Sequence, residues 1–537
     1  MLLPRHLRFG TPAKVLLAFI TLVLYLSFPF TNTHPPSAFA SPREHDRLSN
    51  APLSELVDIY EQVRIGLLDA KHYDSKAATE KLRSPTYLPD GSINLDADFP
   101  AYLNRLRRFV DSHFQHVPRD IHEGARNSLK DMIRRLPPTS RPDTFPSKVW
   151  STHPFGLDGV EEGFELWQKL LPVPLSPRLA DRISKQRNVD FLRPAREGSQ
   201  WEVTVTDDNG LDKWMSQWTA EKLSRGIVGE GEWASFWGKL EHGVLRADVF
   251  RYMSMFTEGG IYSDSDTMPI SHPYLWGLDA QSILHPDLEL LIPLIGKAAA
   301  AVTSQQPKDR LNPRATLDTE DTQHNHTSTI SHESHLSRRA PIQTLDDPST
   351  ILNPDISIVL AIEWDSAIGR TWSMWKQWTW FRFRRSWPDC CFPRGLEMVQ
   401  NLLVSKPFHP IMLDTLATIA ELVESGVARQ LSPLDLTGPG PFSDAVFRYL
   451  LVQYGATPDD LRALRGPVRI GDVIILQEEA WHAPSKAIQR LLSHVKSLGS
   501  KLGDKDPWRF GLGWSDWQSG GIKVAYHGLT GIWKGKG

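Results

Sequence analysis

The stretch VLRADVFRYMSMFTEGGIYSDSDT, Val244 to Thr267, constrains this chain more than any other. Apolar residues recur at helical spacing up to Phe256. Gly259 and Gly260 then permit a sharp reversal, because glycine accepts backbone angles that other residues avoid. A short apolar strand, Ile261 to Ser263, follows at once. A helix turned directly into a strand belongs to a layered α/β structure. On the helix, Asp248, Arg251 and Tyr252 are spaced three and four apart and so share one face. After the strand, Asp264 and Asp266 project to one side if the segment stays extended. Such a carboxylate pair suits a hard divalent cation that keeps open positions for phosphate oxygens, and the cation would offset the charge of a diphosphate. Two bland readings stand beside this one. A lone D-x-D is common in solvated loops, and Asp248 with Arg251 can be an exposed helix ion pair.

The pattern around this stretch agrees with an α/β sheet. KVWSTH and WEVTVTDDNG read as short strands, the second closing on Asp207, Asp208 and a turn at Asn209-Gly210. ISIVLAIEWD reads as a buried strand ending in acidic Glu363 and Asp365, and HPIMLDTLATIAELVE as an amphipathic helix. From Ser41 to about Arg135 the text is helical and reads as a stem or an accessory helical layer, ended by the proline-rich RRLPPTSRPDTFPSK. From about Gly296 to Asn353 the pattern gives way to a polar, Ser/Thr-rich insertion, too polar to offset its ordering entropy. It holds the sequon Asn325-His326-Thr327 and the histidines His324, His326, His332 and His335.

At the N-terminus Arg5, Arg8 and Lys14 precede an uncharged apolar run, Val15 to Phe30. As a helix this run spans about 24 Å, a little short of a thin bilayer of roughly 27 Å. A membrane anchor with a cytosolic N-terminus and a signal peptide cleaved after Ala38-Phe39-Ala40 are the two readings; the basic flank favours the anchor. The formal net charge of −3 leaves no basic field for nucleic acid. The two cysteines, Cys390 and Cys391, are adjacent and encode no disulfide framework or zinc finger. Tryptophan is abundant, 19 residues, which suits flat apolar faces for a sugar as well as ordinary core packing.

RADVFRYMSMFTEGGIYSDSD, together with FPSKVWST, SKPFHPIMLDTLATI, LTGPGPFSDAVFRYL and the closing YHGLTGIW, resembles the DxD-containing fungal initiation-type α-1,6-mannosyltransferases of glycosyltransferase family 32. The resemblance implies a GT-A-type nucleotide-binding domain with a Rossmann-like mixed sheet over about 141–537, interrupted by the insertion at about 296–353. A cytosolic tail (1–14), a transmembrane signal-anchor (15–30) and a luminal helical stem (31–140) would precede it. It implies a Golgi type II membrane enzyme that uses GDP-mannose and Mn2+ to extend N-glycans on glycoproteins, with retention at the anomeric carbon, and that works in a Golgi mannosyltransferase complex.

Carried over by position, Asp264 and Asp266 match the metal and diphosphate motif, Asp266 as the more direct ligand. Asp248 and Arg251 match positions that hold the donor sugar. Tyr262 falls beside the nucleotide ribose, and Trp150 with Asp208 lines the nucleotide pocket. His527 and Trp533 match the segment that closes over the diphosphate, with His527 contacting metal or phosphate. Two positions depart from the pattern: Ile532 stands where relatives carry Ser, and Phe408 where they carry Gly.

Other readings remain open. Relatives with the same motif mannosylate inositol phosphorylceramide, but they carry further membrane segments, and no second apolar run is seen here. An inactive glycan-binding protein of the same fold is a third reading. A glycosidase built on Glu363 and Asp365 fits poorly, since both lie on one side of one strand while the chemistry needs carboxylates on opposite sides of the sugar.

Overall fold

The computed structural model describes residues 37–39, 41–71, 99–136, 145–160, 164, 166–171, 201–224, 232–271, 273, 276–277, 279–305, 356–365, 393–481 and 525–527. The apolar run 15–30, the cysteine pair, the sequon, Ile532 and Trp533 lie outside these residues. Among the described residues no helix is long and apolar enough to cross a membrane.

In chain order the helices are α1 (Pro42–Ser49), α2 (Leu53–Ala70), α3 (Phe99–His113), α4 (Arg119–Ile133), α5 (Leu166–Leu170), α6 (Asp208–Ser224), α7 (Glu232–Gly238), α8 (Gly243–Thr257), α9 (Pro286–Gln305), α10 (Pro410–Glu424), α11 (Pro433–Leu436) and α12 (Pro439–Tyr454). The strands are β1 (Lys148–Thr152), β2 (Glu202–Thr206), β3 (Gly260–Ser263), β4 (Thr267–Pro269), β5 (Gln281–Ser282), β6 (Ile358–Asp365), β7 (Leu396–Met398), β8 (Leu402–Ser405), β9 (Val468–Ile470), β10 (Val473–Leu476) and β11 (Ala525–His527).

The main sheet runs β2-β1-β3-β8-β6-β10-β9-β5, with β7 added beside β6. It is mixed: β2, β1 and β3 are parallel, while β8 runs antiparallel to both β3 and β6. The alternating text anticipated an α/β sheet, and the resemblance implied a mixed one. Alternate residues of each strand serve opposite faces, as the pleat requires. Trp150, Tyr262, Leu360, Leu403 and Ile475 enter the larger core with α8, α10 and α12. Val149, Ile261, Val359, Val404 and Ile474 enter a second core on the other face. There Trp276 meets Trp167 and Trp481 edge to face, at 6.1 and 5.5 Å between centroids, so these three indoles are packing residues.

The helices α1–α4 contribute Leu48, Tyr60, Leu106 and Leu129 to the same core as α8 and α10. Polar contacts fix them as well: the Tyr60 hydroxyl donates to the Gln453 carbonyl at 2.7 Å, and Arg105 donates to Glu421 at 2.9 Å and to Asp414. They form a packed layer.

Two sequence boundaries move. α9 runs through Gly296 to Gln305, ten residues into the expected insertion, because GKAAAAVTSQ is rich in the best helix former. The Asn209-Gly210 pair lies in the first turn of α6 and forms no loop turn. Asp207 caps this helix, its Oδ1 accepting from the Gly210 N–H at 2.6 Å.

The double glycine is required twice over. Gly259 and Gly260 have φ of 66° and 98°. A Cβ on Gly259 would lie 2.7 Å from the Ser405 carbonyl oxygen, and one on Gly260 would lie 2.6 Å from that of Lys148. The chain therefore reverses inside the gap between β1 and β8, where only glycine fits. Phe408, at φ 62°, occupies the conformation glycine would favour. Its N–H donates to the Phe256 carbonyl at 2.6 Å, and its ring fills the notch over Gly124, where a Cβ would approach it to 2.3 Å. The departure at Phe408 thus serves the packing of α4.

Gly260→Ala is expected to cost at least about 1–3 kcal/mol from the positive φ alone, with the clash against Lys148 added; the urea midpoint checks this. Gly124→Ala gains up to about 1 kcal/mol in helix propensity, yet should lower the same midpoint because the Phe408 ring must leave the notch it fills.

Candidate active site

Helix α8 is buried along nearly its whole length, Asp248 and Arg251 included. A buried ion pair has to be satisfied internally, and this one is. Arg251 Nη1 donates to Asp248 Oδ1 at 2.8 Å. Arg251 Nη2 donates to Asp264 Oδ1 at 2.8 Å and to the Tyr262 hydroxyl at 3.3 Å. The guanidinium also lies over the Tyr262 ring, 4.6 Å from its centroid. The other oxygen of Asp248 accepts from the Thr437 hydroxyl at 2.8 Å. Residues from α8, β3 and the D-x-D thus meet at one cation, the α11–α12 link reaches its partner Asp248, and the ion pair is an interior one.

Burial shapes the charges. It pushes the Asp248 carboxyl up to about 6, against the pull of Arg251 and Thr437 and with a further push from Asp264. Burial also works against the Arg251 charge, but Tyr262, Asp264 and Asp248 together hold its pKa well above the ordinary value. Burial raises the Tyr262 phenol, with Arg251 opposing.

The D-x-D leaves the strand and forms a turn. β3 ends at Ser263, and the Thr267 N–H closes back on the Asp264 carbonyl at 2.9 Å. The extended geometry assumed for the two carboxylates is therefore replaced by a turn between β3 and β4. The Asp264 N–H donates to the Asn401 carbonyl at 2.8 Å, which fixes the turn to the start of β8. Asp264 and Asp266 are both half-buried. β11 pairs antiparallel with β4 and sets His527 opposite Thr267, one residue beyond Asp266. A contact 260 residues apart in sequence thereby brings the C-terminal segment to the turn.

The other predicted positions are placed as follows. Trp150 sits opposite Tyr262 in the β1–β3 register. It is 8% exposed, and its indole N–H donates to the Gly259 carbonyl at 3.0 Å. Tyr262 is fully buried, its hydroxyl 3.1 Å from Thr152 Oγ1. Asp208 is exposed at the start of α6, its carboxylate facing the N-terminus of α8 near Gly243. The structure joins Asp248, Arg251, Tyr262 and Asp264 directly and Trp150 by packing, while Asp208 stands apart on the rim.

Sequence reasoning missed Thr437, Gln400 and Asn401. Thr437 lies inside LTGPGPFSDAVFRYL, and its proximity to Gly438 and Gly440 is the only signal it gives. Gln400 Oε1 accepts from the Tyr252 hydroxyl at 2.7 Å. Nothing in its neighbours marks it.

The donor set suits a divalent cation. Asp264 and Asp266 are hard oxygen donors at a turn. Beside them Thr267 Oγ1, Asn401 Oδ1 and Arg251 Nε are buried with no hydrogen-bond partner among the described residues. No cluster of three or more His, Cys, Asp or Glu side chains is assembled among those residues.

Residues 197–284, which span the helix, the double glycine and the turn, match the family described as glycosyltransferase sugar-binding region containing DXD motif. The chain carries a DXD glycosyltransferase region with a GT-A-like mixed sheet. It is 22% identical over 265 residues to the initiation-specific alpha-1,6-mannosyltransferase of Schizosaccharomyces pombe (strain 972 / ATCC 24843), a match covering 47% of this chain and 45% of that protein. The chain thus aligns with slightly less than half of that relative's length. No solved structure matches it.

Two measurements test the charge network. Asp248 binds its proton more tightly folded than unfolded, so its contribution to stability falls as pH rises from about 4 to about 6 and is constant above that window. Asp248→Asn escapes this fall, and its stability relative to wild type should rise by about 3 kcal/mol across the window, read from denaturant midpoints at each pH. Thr437→Val removes a donor to a buried carboxylate; it should cost about 1.5–3 kcal/mol at neutral pH and much less near pH 4.

Proposed function

We propose that the protein is a GDP-mannose-dependent, retaining mannosyltransferase that adds mannose to N-glycans on glycoproteins. Residues 15–30 would anchor it in the Golgi membrane, with the remainder luminal and acting within a mannosyltransferase complex. The observation that carries the reading is the buried Arg251, held by Asp248 and Tyr262 and reaching the first carboxylate of the DXD turn. The similarity to an initiation-specific alpha-1,6-mannosyltransferase supports the choice of sugar.

Within this reading each residue has a physical task. Asp264 and Asp266 would hold a divalent cation, Mn2+, with His527 brought alongside by β11. Such a cation, when bound, supplies positive charge opposite the donor's diphosphate. Arg251 fixes the Asp264 carboxylate through a charge-assisted hydrogen bond, so the turn needs little reorganisation when the donor arrives. Asp248, 5% exposed, orients Arg251. Its oxygens each retain lone-pair capacity toward a sugar hydroxyl. Trp150 and Tyr262 form the packed floor beneath, and Asp208 would serve the nucleotide.

The test is direct. The full-length protein is incubated with Mn2+, a high-mannose N-glycan and, in parallel, GDP-mannose, UDP-glucose or UDP-galactose, and the glycan is weighed by mass spectrometry. One added hexose from GDP-mannose alone is expected. EDTA should abolish it, and Asp266→Ala should lower the rate by about 100-fold or more. Transfer from a UDP-sugar instead would overturn the assignment of the donor.

A further inference from the structure

β2, β1 and β3 are parallel neighbours, so their carboxyl ends share one edge of the sheet. Thr152 pairs with Thr206, and Trp150 with Tyr262. Counting two residues onward, Thr152 is level with Asp264, one strand spacing away, about 4.8 Å. The chain leaves β1 for β2 on one side and later returns as β3 on the other. Where connections diverge in this way, open α/β sheets bind ligands beyond the carboxyl ends of the strands. The DXD turn forms the β3 side of that edge. His153 to Gly159 and Asp207 form the β1–β2 side.

The loop after β1 is pinned. The His153 N–H donates to the Thr206 carbonyl at 3.0 Å, and the His153 carbonyl accepts from the Gly156 N–H at 2.8 Å. His153 Nδ1 accepts from the Phe155 N–H at 3.2 Å. A single helical turn, Gly156–Gly159, follows. It folds back on the histidine so closely that a Cβ on Gly159 would come within 2.0 Å of the ring, and a Cβ on Gly156 would lie 3.8 Å from that of Asp207. The loop therefore rests on the end of β2.

This fixed loop turns Phe155 and Leu157 outward, 76% and 50% exposed. An isolated exposed apolar residue needs no explanation. Here two stand together on a pinned backbone, at the divergence point and beside the charge network. Thr152 Oγ1 lies 3.1 Å from the Tyr262 hydroxyl, which accepts from the same Arg251 guanidinium that holds Asp264. Trp150, expected to line the nucleotide pocket, is enclosed: its indole N–H is spent on the Gly259 carbonyl, and its ring meets Phe250 edge to face. Tyr262 and His153 are buried as well. Of the aromatic side chains on β1, β3 and this loop, only Phe155 has a face open to solvent.

We propose that Phe155 is the base-binding residue of the donor site, its exposed ring stacking on the nucleobase of a nucleoside diphosphate whose phosphates reach the DXD turn. The proposal rests on the glycosyl-transfer reading above, with Phe155 supplying the aromatic face expected of Trp150. Two apolar side chains offer the area of one flat ring system, far below that of a protein interface. Stacking on an aromatic ring uses the π-face that every base presents, and a pinned loop loses little freedom when the base arrives. The base lies toward β2 and the phosphates toward β3.

The test separates base from diphosphate in the full-length protein with Mn2+, using calorimetry with GDP and, in parallel, inorganic diphosphate. Phe155→Ala should weaken GDP binding by about tenfold or more and leave the affinity for inorganic diphosphate unchanged. Phe155→Tyr, which keeps the π-face, should bind GDP near wild type, whereas Phe155→Leu, apolar without that face, should lose nearly as much as Phe155→Ala. In the transfer assay Phe155→Ala should raise the KM for GDP-mannose with kcat unchanged, as loss of uniform binding does. The ring is exposed, so the urea midpoint of each variant should match wild type. Unchanged GDP affinity in Phe155→Ala, or an equal loss for GDP and diphosphate, overturns the proposal and leaves the transferase reading standing. Wild-type protein that binds neither GDP nor GDP-mannose overturns the reading beneath it, and the proposal falls with that reading.

Discussion

The guanidinium of Arg251 is the point on which the site depends. It sits inside the protein, 5% exposed, and joins Asp248 on its own helix to Asp264 on the next turn. A buried ion pair gives little net stability, because desolvation consumes most of the attraction, but removing one partner leaves an uncompensated charge. The cluster therefore acts as a geometric lock. It can form only when α8, the double glycine and β3 adopt one arrangement, and in that arrangement the first carboxylate of the DXD turn is already fixed.

The rest of the sheet supports this lock. Gly259 and Gly260 bring β3 between β1 and β8 at separations that exclude any side chain. The Asn401 carbonyl pins the turn from one side, and β11 adds a strand to β4 on the other. Thr437, after the short helix α11, closes over Asp248. Four segments that are distant in sequence thus converge, and on the far side of α10 its Asp414 is held by Arg105 of α3 and Arg448 of α12. Preorganisation of this kind allows a site to meet a charged ligand without rearranging its dipoles.

Much of this was legible in local text. The 3.6-residue pattern marked α2, α3, α8 and α10, and the apolar runs marked β1, β2, β3 and β6, because each element buries one face and so writes its period into the sequence. The face shared by Asp248 and Arg251 followed from helical spacing alone. Where the reading failed, a tertiary or capping effect decided. The Asn209-Gly210 pair joined a helix because Asp207 caps it. α9 ran on to Gln305 because alanine sustains a helix whatever follows it. The D-x-D left the extended conformation because the Asp264 carbonyl accepts the Thr267 N–H across a turn while the Asp264 N–H donates to the Asn401 carbonyl just before β8.

Most elements, the reversal at Gly259-Gly260 and the charged residues flanking it could be read locally, because spacing along one chain is enough to define a helix face and a turn. Long-range packing alone makes Arg251 interior, brings Thr437, Gln400 and Asn401 to the site and sets His527 opposite Thr267. These are contacts between segments separated by more than a hundred residues. No local period encodes them, and they exist only when the whole sheet is assembled.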